Sequence, residues 1–192
     1  ILEDDVLYVE AGCYLMVVAN IMSREGYSGL EFACGIPGTL GGAIYMNAGA
    51  YLKAMQDIVI DILVLDENLE LKKMKNNELG FSYRNSILKK KPYIVLSANL
   101  KLEKKDRYEI EELINSRKKR RQDSQPLDYP SAGSVFRNPD GDHAGRLIEE
   151  CGLKGETHGG AEISIKHANF IINKDGASSS DIKYLMDKAH DE

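Results

Sequence analysis

The chain has 192 residues, of which 43% are hydrophobic and 29% charged, and its formal net charge is −5 at pH 7. This composition excludes a disordered chain, and the acidic balance disfavours a protein that binds nucleic acid by bulk electrostatics. The three cysteines lie far apart and form no Cys-x-x-Cys pair, which favours a reducing, cytoplasmic location. No apolar run approaches the length of a membrane span, so we expect no membrane partner.

The chain begins with a predicted strand and a predicted helix. The apolar run Val6–Val9 is short and is soon followed by Gly12, which is typical of a buried strand. From Tyr14 to Arg24, apolar residues recur at the spacing of one helix face. Because Gly26 follows, we predict that the helix ends there.

Residues Ser28–Tyr51 hold six of the chain's 17 glycines and, from Phe32 onward, no charged side chain. A flexible linker with this much glycine would be rich in serine and charge. Glycine permits positive φ and lets another group approach the main chain closely. We therefore predict a buried loop whose N–H groups face a ligand, with Pro37 stiffening one turn. A tight crossing between packed elements is the alternative.

This glycine-rich stretch follows neither common nucleotide-binding pattern. Pro37 stands where the dinucleotide-binding fingerprint needs its second glycine, and no Lys-Ser or Lys-Thr pair follows the glycines as a Walker A loop requires. A nucleotide site in this stretch would therefore use a different binding motif.

The rest of the chain interleaves predicted strands and helices. They are a hairpin at Asp57–Met74, a strand at Tyr93–Leu102, a helix at Asp106–Gln122, a loop at Asp123–Asn138 in which Ser134 enters a short apolar strand, a helix at His143–Cys151, a strand at Ala168–Ile172 and a helix at Ser178–His190. The helix at Asp106–Gln122 is expected to bury Ile110, Leu113 and Ile114.

Because the predicted strands resemble hairpins, we expect an α+β fold rather than a parallel doubly wound sheet. A domain boundary is predicted within Lys104–Gln125. It would separate a first domain at residues 1–104, which holds the glycine-rich stretch, from a second α+β domain at residues 105–192.

Two polar positions are candidates for chemistry. Arg84 offers a planar fork of donors suited to a carboxylate or phosphate, although a surface salt bridge would also explain it. Ser134 lies among small residues at the start of an apolar segment, where a hydroxyl could act as nucleophile or proton donor. A simple turn or cap is the alternative for Ser134.

The remaining polar clusters indicate structure rather than chemistry. The basic run Arg117–Arg121 ends a helix that begins with acidic residues, an order that suits the helix dipole, and the alternative is that Arg117 or Arg121 reaches a phosphate. The histidines show no ligand spacing, so we predict no metal site. For His167 we expect packing or a bond to the backbone, and Asn169 is a candidate ligand contact.

Five segments, in this order, resemble the MurB family of UDP-N-acetylenolpyruvoylglucosamine reductases: GLEFACGIPGTLGGAIYMNAGAY, FSYRNS, SAGSVFRNP, AGRLIEECGLKG and GGAEISIKHANFIIN. These are FAD enzymes of bacterial peptidoglycan synthesis, and so of cell-wall formation, cell shape and division. The resemblance implies part of a vanillyl-alcohol-oxidase-type FAD-binding domain followed by a small substrate-binding domain. It also implies that NADPH is co-substrate and the UDP-sugar the substrate, and we expect a monomer.

The resemblance also implies roles for individual residues. Arg84 would polarise the substrate carboxylate and Ser134 would protonate the substrate carbon after flavin N5 delivers hydride. Substrate contacts would be Tyr83, Arg84, Asn138 and Asn169. Cofactor contacts would be Gly35, Ile36, Pro37, Gly38, Thr39, Gly41, Gly42, Ala43, Asn47, Gly49 and Ala50.

The chain departs from the family's pattern in three places. Nothing matches the family's N-terminal glycine-rich turn that holds the FAD diphosphate, nor its glutamate near the C-terminus, so we expect a fragment. Leu52 also stands where the family usually has glycine. The alternatives are therefore a non-catalytic nucleotide-binding fragment, or a flavin oxidase on a related FAD domain.

Overall fold

The computed structural model describes residues 1–192. The chain divides into two compact units, Ile1–Arg117 and Lys118–Glu192, and each contains a hydrophobic core cluster. The domain limits derived from the sequence, 1–104 and 105–192, and the roles attached to them stay predictions.

The first unit contains nine strands and the start of a long helix. The strands are β1 (Leu2–Glu3), β2 (Val6–Glu10), β3 (Tyr27–Ser28), β4 (Gly49–Ala50), β5 (Lys53–Ala54), β6 (Val59–Leu65), β7 (Leu71–Lys75), β8 (Ile94–Lys101) and β9 (Glu103–Lys104). The helices are α1 (Leu15–Arg24), α2 (Leu40–Tyr45) and α3 (Arg107–Ser124), and α3 continues past the end of the unit. The predicted first strand, first helix and Asp57–Met74 hairpin are confirmed.

Five of these strands form an antiparallel sheet in the order β1-β2-β8-β6-β7. In the middle of the sheet Asn99 of β8 lies opposite Tyr8 of β2 and Asp61 of β6, and Asn99 Nδ2 donates to Asp61 Oδ1 at 2.8 Å. Ile62 and Val64 are fully buried, because alternate residues of a strand face the same side. The sheet therefore has one face against the core.

The glycine-rich stretch Ser28–Tyr51 is not one continuous loop, so that prediction is wrong in part. It contains a 3-10 turn at Glu31–Ala33 and the helix α2. Leu40 and Ile44 are four residues apart and completely buried, so burial of one helical stripe outweighs the low helix propensity of the glycines.

Helix α3 buries a narrower stripe than its sequence predicts. Ile110 and Ile114 are 2% and 4% exposed, whereas Leu113 is 41% exposed. The prediction that Leu113 is buried is wrong, because contact is limited to the i, i+4 pair on a helix that is otherwise charged and solvated.

The second unit is a four-stranded antiparallel sheet with two helices. Its strands are β10 (Ser131–Ser134), β11 (Thr157–His158), β12 (Ala161–Ile163) and β13 (Phe170–Asn173), in the order β10-β13-β12-β11. Its helices are α4 (Ala144–Glu150) and α5 (Ser179–Asp191). Helix α5 begins as predicted, because Ser178 and Asp181 cap each other's backbone N–H groups.

The segment before α4 differs from its prediction. Residues Ser131–Ser134, expected to be loop, pair with β13, and the strand ends at Ser134 instead of starting there. The pairing is irregular between Ser131 and Ser134, and Gly133 between them has a φ of +85°. Such a bulge hides the alternation by which a strand is predicted.

Strands and helices of both units together make an α+β fold, as predicted. No helix of the chain is both long and apolar enough to cross a membrane. Among residues 1–192, no group of three or more His, Cys, Asp or Glu side chains is arranged to hold a metal ion.

Candidate functional site

A cleft of about 420 Å³ in the first unit has the glycine-rich stretch as its wall. Its lining residues are Ile36, Pro37, Gly38, Thr39, Gly42, Ala43, Met46, Ala48, Gly49 and Arg84. The cleft therefore brings Arg84 together with most of the predicted cofactor residues. Gly35, Gly41, Asn47 and Ala50 are predicted cofactor residues that do not line it.

The glycines of this wall serve two purposes. At Gly38, whose φ is +115°, and at exposed Gly42, an added Cβ would meet no atom closer than 3.6 Å, so the bare main chain borders open space. At Gly41 and Gly49 a Cβ would lie 3.0 Å from Ala11 Cβ and 2.4 Å from Lys53 O. The stretch thus contains both main chain that borders free space and tight crossings, and that the free main chain faces a ligand stays a prediction.

Arg84 lies in a tight turn beside this cleft. Ser82 and Asn85 exchange two backbone hydrogen bonds of 3.1 Å each, and Arg84 takes a φ of +53°. Its Nη2 donates to the carbonyl oxygen of Gly49 at 2.7 Å. The exposed ring of Tyr83 lies 5.1 Å from the guanidinium carbon, within reach of a cation–π contact.

The amide of Asn47 joins this turn to the glycine-rich stretch. Asn47 is 2% exposed, and its Nδ2 donates to Ser82 O at 2.9 Å and to Gln56 Oε1 at 2.8 Å. Its Oδ1 accepts from Gln56 N at 3.0 Å. Because the side chain is engaged within the protein, its geometry suits positioning the turn better than contacting a ligand.

Two further residues fix the same turn, and the sequence analysis missed both. Ser86 is 1% exposed and donates to Tyr45 O at 2.7 Å. Lys89 Nζ donates to the carbonyl oxygen of Arg84 at 2.7 Å. Both follow Arg84 within five residues, which was the only available signal, and nothing in their residue types distinguishes them from surface residues.

The cleft is electrostatically one-sided. None of its lining residues is acidic, and Arg84 is the one cation among them. A guanidinium presents several N–H donors in one plane, and Gly49 O occupies only part of that capacity. The arrangement can therefore take a planar anionic group such as a carboxylate.

In the second unit, Ser134 ends β10, opposite Phe170 of β13, and is exposed. The main chain that follows is held by Asn169, which is 3% exposed. Asn169 Nδ2 donates to Phe136 O and its Oδ1 accepts from Phe136 N, both at 2.8 Å. Its own carbonyl accepts from Val135 N at 2.9 Å. Asn169 thus fixes the path of the chain just after Ser134.

The other predicted residues of this unit also make backbone contacts. Exposed Asn138 accepts, through Oδ1, a hydrogen bond from Ala144 N at 3.1 Å and so supports the start of α4. Asn169 N donates to His167 Nδ1 at 3.2 Å, and the His167 ring packs against Phe170. The predicted packing and backbone role of His167 is confirmed. Burial lowers the pKa of His167, in keeping with an acceptor nitrogen.

Arg84 belongs to the first unit and Ser134 to the second. The joint action of these two residues on one substrate therefore stays a prediction.

Two family models match the chain. The one described as "FAD binding domain" matches residues 2–74, and the one described as "UDP-N-acetylenolpyruvoylglucosamine reductase, C-terminal domain" matches residues 125–192. The glycine-lined wall of the cleft lies within the first match.

Curated relatives carry the same description. The UDP-N-acetylenolpyruvoylglucosamine reductases of Caldanaerobacter subterraneus subsp. tengcongensis and Bacillus subtilis are 49% and 46% identical over 187 residues. Each alignment covers 97% of this chain and 62% of the relative, so the chain spans less than two thirds of the curated relatives' length.

A solved structure is also similar. The crystal structure of UDP-N-acetylenolpyruvylglucosamine reductase (MurB) from Thermus caldophilus superposes with a TM-score of 0.89 at 38% identity, over 97% of this chain and 68% of that one.

Proposed function

Because the chain belongs to the MurB family of UDP-N-acetylenolpyruvoylglucosamine reductases, we propose that the full-length protein reduces UDP-N-acetylglucosamine enolpyruvate to UDP-N-acetylmuramate, with NADPH as reductant and FAD as cofactor. The observation that carries this proposal is the guanidinium of Arg84 beside a glycine-lined cleft. The reaction belongs to peptidoglycan synthesis.

The cleft fits part of a flavin nucleotide. Its volume of about 420 Å³ is in the range of small-molecule sites, and the side-chain-free main chain of Gly38 and Gly42 allows a flat ring or a phosphate to approach closely. No acidic side chain in the lining opposes an anion. When bound, FAD supplies hydride chemistry that the twenty side chains lack.

Arg84 is the group we assign to the substrate carboxylate. When hydride adds to the enol-ether carbon β to that carboxylate, the electron pair of the double bond moves to the α carbon and the carboxylate. A guanidinium already fixed beside the carboxylate stabilises this developing negative charge. The exposed ring of Tyr83 borders the same guanidinium, and we assign Tyr83 to substrate binding.

Ser134 is the group we assign to proton delivery. Its hydroxyl gives a proton to the α carbon, which completes the saturated lactyl ether, and solvent restores the proton to the serine oxygen. Asn138, which is exposed, remains a proposed substrate contact. For Asn169 we propose a supporting role, because its buried amide is used on Phe136.

The enzymatic test uses the full-length protein with FAD. We expect NADPH oxidation to depend on UDP-N-acetylglucosamine enolpyruvate, and we expect Arg84→Ala and Ser134→Ala each to lower turnover by about 10²-fold or more. Matched controls are Arg24→Ala at the end of α1 and Ser131→Ala in β10, which should turn over normally. Unimpaired turnover in both test variants would refute the assigned roles, and flavin reoxidation by O₂ without the enolpyruvate would favour an oxidase.

We further propose that residues 1–104 serve the cofactor and residues 105–192 the substrate, and that the protein acts as a cytoplasmic monomer. The match of residues 2–74 to an FAD binding domain supports the first assignment, and three cysteines that form no disulfide agree with a reducing compartment. Light scattering of the purified full-length protein tests the oligomeric state.

A further inference from the structure

Lys89 makes a contact that the proposed chemistry does not account for. It ends the 3-10 turn Ile87–Lys89, is half-buried, and its Nζ donates to the carbonyl oxygen of Arg84 at 2.7 Å. The same ammonium lies 6.0 Å from the centre of the Tyr45 ring. The next two residues, Lys90 and Lys91, are exposed.

Arg84 needs this support because of its backbone. Its φ of +53° lies in the left-handed region, which residues with a Cβ avoid unless their surroundings fix it. The carbonyl group that Lys89 holds is that of this strained residue itself. A hydrogen bond from a charged donor is among the stronger ones in a protein, so Lys89 stabilises the backbone conformation that the turn requires.

The backbone conformation in turn determines where the guanidinium lies. Arg84 is anchored at two points, its carbonyl by Lys89 and its Nη2 by the carbonyl of Gly49. Without the first anchor the residue can relax to negative φ, which redirects its Cα–Cβ bond and carries the guanidinium away from Gly49. Lys89 is not among the residues that line the cleft, so its effect reaches a ligand through Arg84.

We propose that Lys89 is a positioning residue for Arg84, which it keeps in the left-handed conformation that presents the guanidinium to the cleft. This inference rests on the proposed function, in which Arg84 acts on the enolpyruvate and not on the reduction of FAD by NADPH. The reaction has two halves, reduction of the flavin by NADPH and its reoxidation by the enolpyruvate. A positioning defect should slow only the second half-reaction, whereas a general loss of structure should slow both.

The test follows both half-reactions by stopped-flow absorbance of the flavin in the full-length holoenzyme. For Lys89→Met we expect flavin reduction by NADPH within twofold of wild type, and reoxidation by UDP-N-acetylglucosamine enolpyruvate slowed at least tenfold. Lys90→Met removes the same charge one residue away and should leave both rates unchanged. Lys89→Arg keeps a charged donor and should restore reoxidation to within about threefold of wild type.

A double variant shows whether Lys89 acts through Arg84. If it does, Arg84→Ala with Lys89→Met should reoxidise no more slowly than Arg84→Ala alone, because the interaction is already lost. Wild-type reoxidation in Lys89→Met, equal slowing of both half-reactions, or additive losses in the double variant would each overturn the proposal. If Lys89→Met does not fold, Lys89→Arg is the deciding variant. A tenfold slower reoxidation in Lys89→Arg, with flavin reduction unchanged, would overturn the proposal.

A different result would refute the proposed function itself. In that case wild-type reduced flavin would not be reoxidised by the enolpyruvate at all, whatever residue stands at position 89.

Discussion

The three hydrogen bonds of Asn47 show what a buried amide contributes to this site. The residue has a φ of +43°, which asparagine tolerates better than most side chains, and its amide connects Ser82 and Gln56. Few residue types both tolerate a left-handed backbone conformation and donate two hydrogen bonds from the side chain. The sequence marked Asn47 as a cofactor residue, and its contacts indicate a structural reason for an asparagine there.

We expect Asn47→Ala to lower the free energy of unfolding by about 2 kcal/mol, since it removes three hydrogen bonds made by a buried amide. Urea denaturation of the full-length protein measures the change. Asn77→Ala, at an exposed position, is the matched control and should change stability by less than about 0.5 kcal/mol. Equal stability of the two variants would contradict the structural role.

His167 makes the stability of the second unit depend on pH, and the direction of its pKa shift determines the sign of that dependence. Its pKa lies below the ordinary value of 6.5, chiefly because burial disfavours the charged ring, with Lys154 acting in the same direction and Glu149 opposing it. The unfolded chain therefore binds the proton more readily than the folded one. Stability from this group is fully present above pH 6.5 and is lost as the pH falls from there through the lowered pKa.

We expect the urea midpoint to fall between pH 7 and pH 5, and His167→Gln, which keeps an acceptor and cannot titrate, to reduce that fall. Measurements at several pH values on both proteins provide the check. An identical pH profile in the variant would show that other groups are responsible.

The β4–β5 hairpin carries strain that the sequence did not reveal. Its two loop residues, Tyr51 and Leu52, have φ values of +55° and +61°, the conformation of a type I′ turn in which Asn-Gly is usual. Tyr51 has compensating contacts, because its hydroxyl donates to Arg117 O at 3.1 Å and its ring lies 4.8 Å from the Arg117 guanidinium carbon. Leu52 is fully exposed.

Leu52→Gly should therefore stabilise the protein by about 1 kcal/mol, because glycine adopts positive φ without the steric cost of a Cβ. Thermal or urea unfolding measures this gain. The control is Leu71→Gly, an exposed leucine within strand β7, which should destabilise by about 0.5–1 kcal/mol. A loss of stability in Leu52→Gly would mean that its side chain has a partner in the full-length protein.

Helix α2 allows the two purposes of its glycines to be separated. Gly42→Ala should stabilise the apoprotein by up to about 1 kcal/mol, because alanine is the better helix former and its methyl group would meet only Thr39 Oγ1, at an ordinary contact distance of 3.6 Å. The same methyl group borders the cleft, so we expect weaker FAD binding in a fluorescence titration. Gly41→Ala should instead lower stability, since its Cβ would lie 3.0 Å from Ala11 Cβ. Unchanged FAD affinity in Gly42→Ala would place the flavin elsewhere.

Long periodic segments were the predictable part of the fold. Helix α1 and the β6–β7 hairpin have clear apolar spacing and helix α5 has a capping box, and all three are confirmed. Strands β11 and β12 were missed, because two and three residues leave no periodicity to detect, and β10 was missed because its bulge interrupts the alternation. The cleft wall was predicted from glycine content. Ser86 and Lys89 could be identified only from the structure, because Ser86 binds Tyr45, which is distant in the sequence, and Lys89 binds Arg84, whose backbone is strained.

At the scale of the whole molecule, the two hydrophobic core clusters are separate sets of residues. A ligand that binds only the folded form raises the stability of the part that holds it. We therefore expect FAD to raise the melting temperature of the first unit more than that of the second in the full-length protein, as followed by hydrogen exchange in α2 and α5 on heating. Equal protection of both helices would contradict a cofactor site confined to the first unit.

The bond from Arg84 to Gly49 joins positions 35 residues apart, and the whole β6–β7 hairpin lies between them. A chain growing on the ribosome therefore makes the glycine wall well before it makes the arginine that faces it. The cleft is complete only once that hairpin and the turn that holds Arg84 have both been synthesised. For a flavin bound in this cleft, as proposed, we therefore expect insertion to follow translation of this unit.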